Sequence, residues 1–367
     1  MRKKLDKFLI VDTDSAIYAC CFITVKKEIF ARLGDKMVFH GTNKNVYNKW
    51  YKEQTPVDQA CLEYIEELTQ LPFSQAKKAM DGWLFDLTKL AGCDRRVLML
   101  TKGGNCFRTH LATMKKYKGN RDNLVKPPYY QELRDYLTSE LKAPVYHKWE
   151  ADDVACMSMT KCNADPSKYA ILAAIDKDLE QQEGRHVNPN KKKEGVYVVT
   201  KLEGLKSFYK QMLMGDVADN IPGLPRVGAK SKHVVNLMEC GTELECFALV
   251  WKAYQKAYGD YLTVVPWWWD DKKMTKPKDD SEPVPVYFDP DYHDFALAEL
   301  KRERFPAKTI KYSVEDVFYE NADLLHMLRT PTDQYFAPVL AKNKLGFKVR
   351  EAYPEGVAIA MLGKDKK

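Results

Sequence analysis

Phe8-Leu-Ile-Val-Asp12 is a short run, apolar at every position until a carboxylate closes it. A strand with one face in water alternates apolar and polar residues, whereas a continuously apolar strand is buried on both faces, as in a parallel sheet. The design recurs at Val97-Leu-Met-Leu100, which ends at Thr101, and at Tyr169-Ala-Ile-Leu-Ala-Ala-Ile-Asp176, which ends on an acid again. Between the first two runs, Ala76, Met80, Trp83, Leu84, Leu87 and Leu90 recur at helical spacing. Ser74 is placed to cap that helix and Gly92 to end it. Further helices are expected over 129–141 and 152–160. Strand, helix and strand alternate, which predicts an α/β fold with a mostly parallel central sheet and helices on both faces.

Working outward, 367 residues suffice for one large domain with appendages or two modest ones, and 45% hydrophobic with 30% charged residues is a globular balance. The net charge of +7 points to a polyanion only if it is unevenly placed. Nine cysteines, an odd number without a Cys-x-x-Cys pair, fit a reduced, cytoplasmic chain, and zinc ligands at repeated short spacing are lacking. Asp6, Lys7, Asp12 and Asp14 interrupt the apolar stretch a secretory signal would need after Met1-Arg-Lys-Lys, and no run is long enough to span a bilayer. Residues 24–57 are polar and aromatic without clear period and read as an insertion after the first strand. Trp267-Trp-Trp269 and the prolines 277, 283, 285 and 290 read as an extended connector. The expected layout is an α/β domain over 1–200, a helix-hairpin-helix subdomain over 201–262, and a connector and C-terminal extension over 263–367.

In open parallel sheets ligands gather beyond the carboxyl ends of strands, so acids far apart in sequence can converge there. Asp12 and Asp176 are placed this way, with Asp178 two residues on. Glu150-Ala-Asp152-Asp153 opens a helix that puts Glu150 and Asp153 on one face, and Asp216 and Asp219 share a face if their stretch is helical. Taken singly each is an ordinary cap or solvated helix start. Together they would repel one another unless cations neutralise them, and hard oxygen donors select Mg²⁺ or Mn²⁺.

Two elements fit phosphate. Leu213-Met-Gly-Asp-Val-Ala-Asp-Asn-Ile-Pro-Gly-Leu-Pro-Arg-Val-Gly-Ala-Lys230 reads as helix, hairpin, and a new helix from Ala229. Gly223 and Gly228 permit a close backbone approach, the amides around Val227 to Ala229 face a phosphate at the helix's positive end, and Lys230 and Lys232 add charge. Such a loop grips backbone and ignores sequence, and its turn carbonyls suit a monovalent cation such as K⁺. The second element is Lys115-Lys-Tyr-Lys-Gly-Asn-Arg121, where Lys118 and Arg121 can bracket one phosphate and Tyr117 can stack on a terminal base. Its plain alternative is a solvated charge run.

Asp12 after a strand, Tyr117-Lys-Gly-Asn-Arg121, Glu150-Ala-Asp-Asp153, Asp176-Lys-Asp178 and Gly215-Asp-Val-Ala-Asp-Asn-Ile-Pro-Gly223 follow one another in the order seen in the 5′ nuclease superfamily. The chain resembles that family over roughly residues 8 to 240. The family includes bacteriophage 5′→3′ exonucleases, flap endonucleases and the 5′ nuclease domain of bacterial DNA polymerase I. The resemblance implies a PIN-like nuclease fold and two divalent ions, Mg²⁺ or Mn²⁺, held by Asp12, Glu150, Asp152, Asp153, Asp176, Asp178, Asp216 and Asp219. It implies that Lys118 and Arg121 contact the scissile phosphate, and that the hairpin from Gly223 to Lys230 holds the duplex. Two positions depart from the pattern: Thr101 stands where the second strand usually ends in Asp, and Arg226 where the hairpin usually has Gly. Only 28 residues separate Arg121 from Glu150, so a helical arch for threading single strands must be short.

These readings predict a stand-alone, phage-type monomer that hydrolyses DNA from 5′ ends by a two-metal-ion mechanism. Duplex ends are the expected substrate, with flaps and RNA–DNA hybrids as further ones and no membrane partner. Two alternatives stay open: a catalytically weakened protein that binds DNA structures without cutting, motivated by Thr101, and a PIN-type ribonuclease.

Overall fold

The computed structural model describes residues 6–102, 106–147, 149–173, 175–264, 310–331 and 333–335, together with 338 and 345. The Trp267 connector lies outside them. The described residues fall into two compact units, one built on the chain up to Thr13, Thr88–Leu124 and from Pro144 onward, the other on Asp14–Leu87 and Val125–Ala143.

The first unit carries a six-stranded sheet, and the strand that opens the chain sits inside it. β1 (Asp6–Asp12) pairs in parallel with β5 (Arg95–Thr101) on one side and β7 (Lys168–Ala173) on the other. The short β6 (Val145–Tyr146) extends the sheet beyond β5, and β8 (Gly184–Val187) and β9 (Val196–Val199) extend it beyond β7. All neighbours are parallel except β8 and β9. Leu9, Ile10 and Val11 are all buried, the two-sided burial that the unbroken apolar run predicts. Helix α7 (Ala151–Asn163) lies on the sheet through Val154, Ala155 and Met159, packed with Ile10, Met99 and Leu172. The fold is therefore mixed α/β with a central, mostly parallel sheet flanked by helices. β7 stops at Ala173, so Asp176 lies beyond the strand and opens a 3-10 turn over Lys177–Gln181.

A helical layer completes this unit. α8 (Lys201–Met214), α9 (Lys232–Glu239), α10 (Glu243–Tyr258) and α11 (Val314–Leu325) share one apolar core with the segment of α5 (Phe107–Leu111). Phe318 of α11 is its hub, with ring centroids 5.3 Å from Phe247, 5.8 Å from Trp251 and 5.0 Å from Tyr254. β12 (Tyr261–Val264) and β13 (Ile310–Ser313) pair antiparallel, so the chain after the connector returns to this layer. Between α8 and α9 lies a tight hairpin, β10 (Gly215–Asp216) against β11 (Ile221–Pro222). Asp216 and Asp219 are thus in a hairpin and not on a helix face. The helix expected from Ala229 begins at Lys232, because Ser231 caps it by accepting from the Val234 amide at 3.4 Å.

The second unit contains most of α1 (Thr13–Phe22) and α4 (Phe73–Ala91) and all of α6 (Tyr130–Ser139). α4 starts one residue before Ser74, which therefore lies in its first turn, and Gly92 ends it at a positive φ of 60°. The stretch read as irregular is ordered and longer than expected. β2 (Val25–Leu33) is flanked by β3 (Lys36–Gly41) and β4 (Leu62–Gln70) in an antiparallel sheet, with α2 (Lys44–Lys52) and α3 (Pro56–Cys61) between the last two strands. Its core is small: Ile29, Ala31 and Tyr47, with Phe39, Trp50 and Leu62 packed around them. Among the described residues no helix is long and apolar enough to cross a membrane.

Candidate functional site

A strand end of the central sheet and the start of helix α7 carry the first acids. Asp12 ends β1, buried and in register with Met99 of β5. Thr101 ends β5, and its hydroxyl accepts the Ala151 amide at 2.6 Å. The residue standing where an acid was expected therefore anchors the first turn of α7, the helix that carries three carboxylates. Glu150, Asp152 and Asp153 can each offer an oxygen within 4.8 Å of the others.

Beneath them lies a residue that sequence reasoning missed. Arg108 is wholly buried on α5, and its guanidinium grips both oxygens of Asp153 (2.6 and 2.8 Å) and one of Glu150 (3.0 Å). Burial raises Glu150's pKa, but Lys118 and Arg108 outweigh it and hold the carboxyl down to about 2. Asp152 goes the other way: burial, with Glu150 and Asp153 beside it, pushes its pKa well above the usual carboxylate range. Asp153 is fully buried and also accepts the Leu328 amide at 3.2 Å.

The basic run is not a solvated face. Lys118, at a left-handed φ of 54°, forms an ion pair with Glu150 and lies 3.7 Å from Asp219. Arg121 donates to Asp219 at 2.7 Å and to the Ala218 carbonyl at 2.9 Å, while Asn120 donates to the Val217 carbonyl at 2.7 Å. The run is thereby laced to the turn of the hairpin. Tyr117, read as a stacking platform, is buried in the helical layer, so its ring offers no open face to a base. Its hydroxyl lies 2.6 Å from Glu150 and 2.7 Å from Asp219. One phenolic proton serves one of them at a time, and burial raises Asp219's pKa, which favours a proton on that side.

A second group of acids sits across the hairpin. Asp176 caps its 3-10 turn by accepting the Asp178 amide at 3.1 Å. Asp178 accepts from the Gln211 amide group, and burial with Asp176, Asp216 and Asp219 nearby pushes it up to about 7. Asp216 is buried, accepts the Ala218 amide at 2.8 Å and pairs with Lys177 at 2.9 Å. Around the seven acids from Glu150 to Asp219, the ion pairs described are to Arg108, Lys118, Arg121 and Lys177, so the carboxyl groups outnumber the cations paired with them. A donor set made of carboxyl oxygens alone fits hard divalent cations.

The hairpin is shaped by two glycines. A Cβ on Gly223 would fall 2.1 Å from the Met214 carbonyl carbon, and one on Gly215, whose φ is +69°, 2.2 Å from the Gly223 nitrogen. Gly228 needs no such freedom, since a Cβ there meets nothing within 4 Å. Arg226 occupies the left-handed region at φ 62°, the conformation for which glycine is the usual residue, at a cost of about 1–2 kcal/mol. Val227's amide is used on the Leu224 carbonyl at 3.2 Å and is not free to meet a phosphate. Arg226 and Lys230 are exposed in the turns that follow the hairpin, and Lys232 is exposed at the start of α9.

Comparison with protein-family models finds no match. In sequence, DNA polymerase I of Bacillus caldotenax is 29% identical over 172 residues, 42% of this chain and 19% of the polymerase, so the chain spans about a fifth of that relative's length. Among solved structures, the bacteriophage T5 flap endonuclease in a complex with DNA and metal ions aligns at 16% identity with a TM-score of 0.38, covering 66% of this chain and 78% of that one. The T5 5′-exonuclease with bound zinc aligns at 17% identity with a TM-score of 0.35, covering 67% and 89%. The order of the motifs and the similarity to the polymerase together make this chain similar to the 5′ nuclease superfamily.

Proposed function

We propose that this chain is a metal-dependent nuclease that hydrolyses DNA from 5′ ends, acting on duplex ends with flap cutting and RNA-primer removal as secondary activities. The observation that carries the reading is the lacing of Lys118 and Arg121 to Glu150 and Asp219, which holds two phosphate-seeking cations at the edge of a carboxylate cluster. Glu150, Asp152 and Asp153, with Asp12 and the Asp176 to Asp219 group, would hold two Mg²⁺ or Mn²⁺ ions. Bound there, the ions supply Lewis acidity toward the scissile phosphate and the attacking water.

The protein's own groups do the rest. Lys118 and Arg121 turn to the phosphoryl oxygens and neutralise the charge that develops on them, a role whose loss lowers turnover more than binding. Arg108, with Lys118, holds the Glu150 carboxyl down, and its guanidinium aims both Glu150 and Asp153. Arg226 and Lys230, between the hairpin and α9, and Lys232 at the start of α9 grip the duplex backbone without reading sequence.

The test is incubation of the purified chain with 5′-labelled duplex and flap DNA in Mg²⁺, Mn²⁺ or EDTA, beside Asp152→Asn. Cleavage that needs the metal and falls at least ~10²-fold in the variant, with DNA binding retained, is expected. Thr101 motivates a second reading, a protein that binds DNA ends without cutting, because its hydroxyl supplies an anchor to α7 and no charge. Tight binding with no cleavage in any metal would establish that rival, and preference for single-stranded RNA would favour a ribonuclease.

A further inference from the structure

The chain that returns after the connector is hydrogen-bonded to the candidate site in several places. On α11, one oxygen of Glu320 accepts the amides of Thr113 (2.7 Å) and Met114 (2.8 Å), and the other accepts the Thr113 hydroxyl. Tyr312 donates to that hydroxyl at 2.7 Å. Asn321 donates to the Pro222 carbonyl of the hairpin at 3.1 Å. The carbonyls of Leu324 and His326 accept from Arg108 at 2.8 and 2.9 Å, the guanidinium that holds Glu150 and Asp153. Gln181 donates to the Leu325 carbonyl at 2.8 Å and to Gln211 at 2.5 Å, and Gln211 donates to Asp178.

Glu320 is the contact that bears on the basic run. Thr113 and Met114 immediately precede Lys115-Lys-Tyr-Lys118, with no regular element between them and Tyr117. The far end of the run is fixed by Glu150 and Asp219, and the near end by Glu320. Buried amides with no acceptor are rare, so removing this carboxylate would oblige the segment to move until other partners are found.

We infer that Glu320 is a positioning residue for Lys118: from α11 it fixes Thr113 and Met114 and thereby sets where the ammonium group stands. The inference rests on the nuclease reading above. A displacement of the order of an ångström at a charge-stabilising group lowers rate by about two orders of magnitude while leaving binding nearly intact.

The test uses the full chain with Glu320→Ala, Glu320→Gln, Lys118→Ala and the Glu320→Ala/Lys118→Ala double variant. Single-turnover cleavage of 5′-labelled duplex should fall ~10–100-fold in Glu320→Ala with DNA affinity within about threefold. Glu320→Gln should restore most of the rate, since an amide oxygen still accepts both backbone N–H groups. In the Lys118→Ala background, Glu320→Ala should cost little more, whereas a general loss of packing would multiply the two defects. Additive effects, or a Glu320→Ala enzyme as fast as wild type, would overturn the inference. If wild type cuts nothing in any metal, the nuclease reading fails and amide hydrogen exchange decides the positioning alone. Faster exchange confined to 113–121 in Glu320→Ala would uphold it, and exchange unchanged there, or raised equally over 151–163 and 169–173, would overturn it.

Discussion

Glu150 and Glu320 grip the same segment from opposite ends, and their environments drive them in opposite directions. Glu150 meets Tyr117 and Lys118 in the company of Arg108, and against its burial these cations hold it down to about 2. Glu320 meets Thr113 and Met114 with neutral donors only; burial, with Asp323 adding to it, outweighs them and pushes it up to about 7. Burial is the leading influence on both. What separates them is whether the partners bring full charges or dipoles, and a full charge prevails over desolvation where a dipole does not. The first arrangement keeps a site anionic at every physiological pH, while the second is a neutral strut that loses its neutrality near pH 7.

The most severe way to break the contrast is to remove the buried cation. Arg108→Ala would leave Glu150 and Asp153 without their guanidinium and would free the Leu324 and His326 carbonyls. A buried pair broken on one side typically costs about 3–5 kcal/mol, and urea unfolding should show that loss at an unchanged slope. A loss under about 1 kcal/mol would mean that Arg108 is not what sustains Glu150 and Asp153.

Next in size is the pH dependence of the strut. Because Glu320's folded pKa lies above its unfolded value of 4.5, the stability it contributes is complete below pH 4.5 and is lost as pH rises through about 7. Glu150 is displaced downward, so its contribution is present above pH 4.5 and lost only as pH falls toward 2. Urea melts from pH 4.5 to 8 should therefore show wild type losing ground to Glu320→Gln by up to ~1.4 kcal/mol per pH unit between the two values, then levelling above pH 7. Parallel curves for the two proteins would remove the proposed elevation.

The contrast also bears on which parts of the molecule could be read from residues alone. The central strands were legible because Leu9, Ile10 and Val11 are buried on both faces, and a strand with no wet face leaves an unbroken apolar run in the chain. Glu150, Asp152 and Asp153 were legible as the start of a helix, whereas Asp176 lies beyond the strand it was expected to end and Asp216 and Asp219 sit in a hairpin rather than on a helix face. Arg108 was not, since a lone arginine between Phe107 and Thr109 looks like any surface residue until its partners arrive from α7, more than 40 positions on. Glu320 is about 200 residues from the amides it serves, and no local pattern encodes such a pairing. The insertion was read over 24–57, but its strands and its extent to Gln70 stayed hidden, because β4 is polar on both faces, Glu63, Glu66 and Glu67 flanking Tyr64 and Ile65, so no alternation marks it. The late start of α9 follows from Ser231, whose capping role competes with a helix from Ala229.

The finest test compares two tyrosines, one at each end of the grip. Tyr117 donates toward a carboxylate held ionised, and Tyr312 toward the Thr113 hydroxyl, a neutral acceptor. Hydrogen bonds to charged groups contribute about 1.5–3 kcal/mol, and those between neutral groups about 0.5–1.5. Replacing each by Phe removes one hydroxyl and keeps the ring packing, so Tyr117→Phe should cost about 2 kcal/mol and Tyr312→Phe about 1 in urea unfolding at pH 7. The difference should also respond to pH. Below pH 4 Tyr117→Phe should retain its cost, because Glu150 stays ionised down to about 2. Equal costs at neutral pH would show that the charge on the acceptor does not distinguish the two ends.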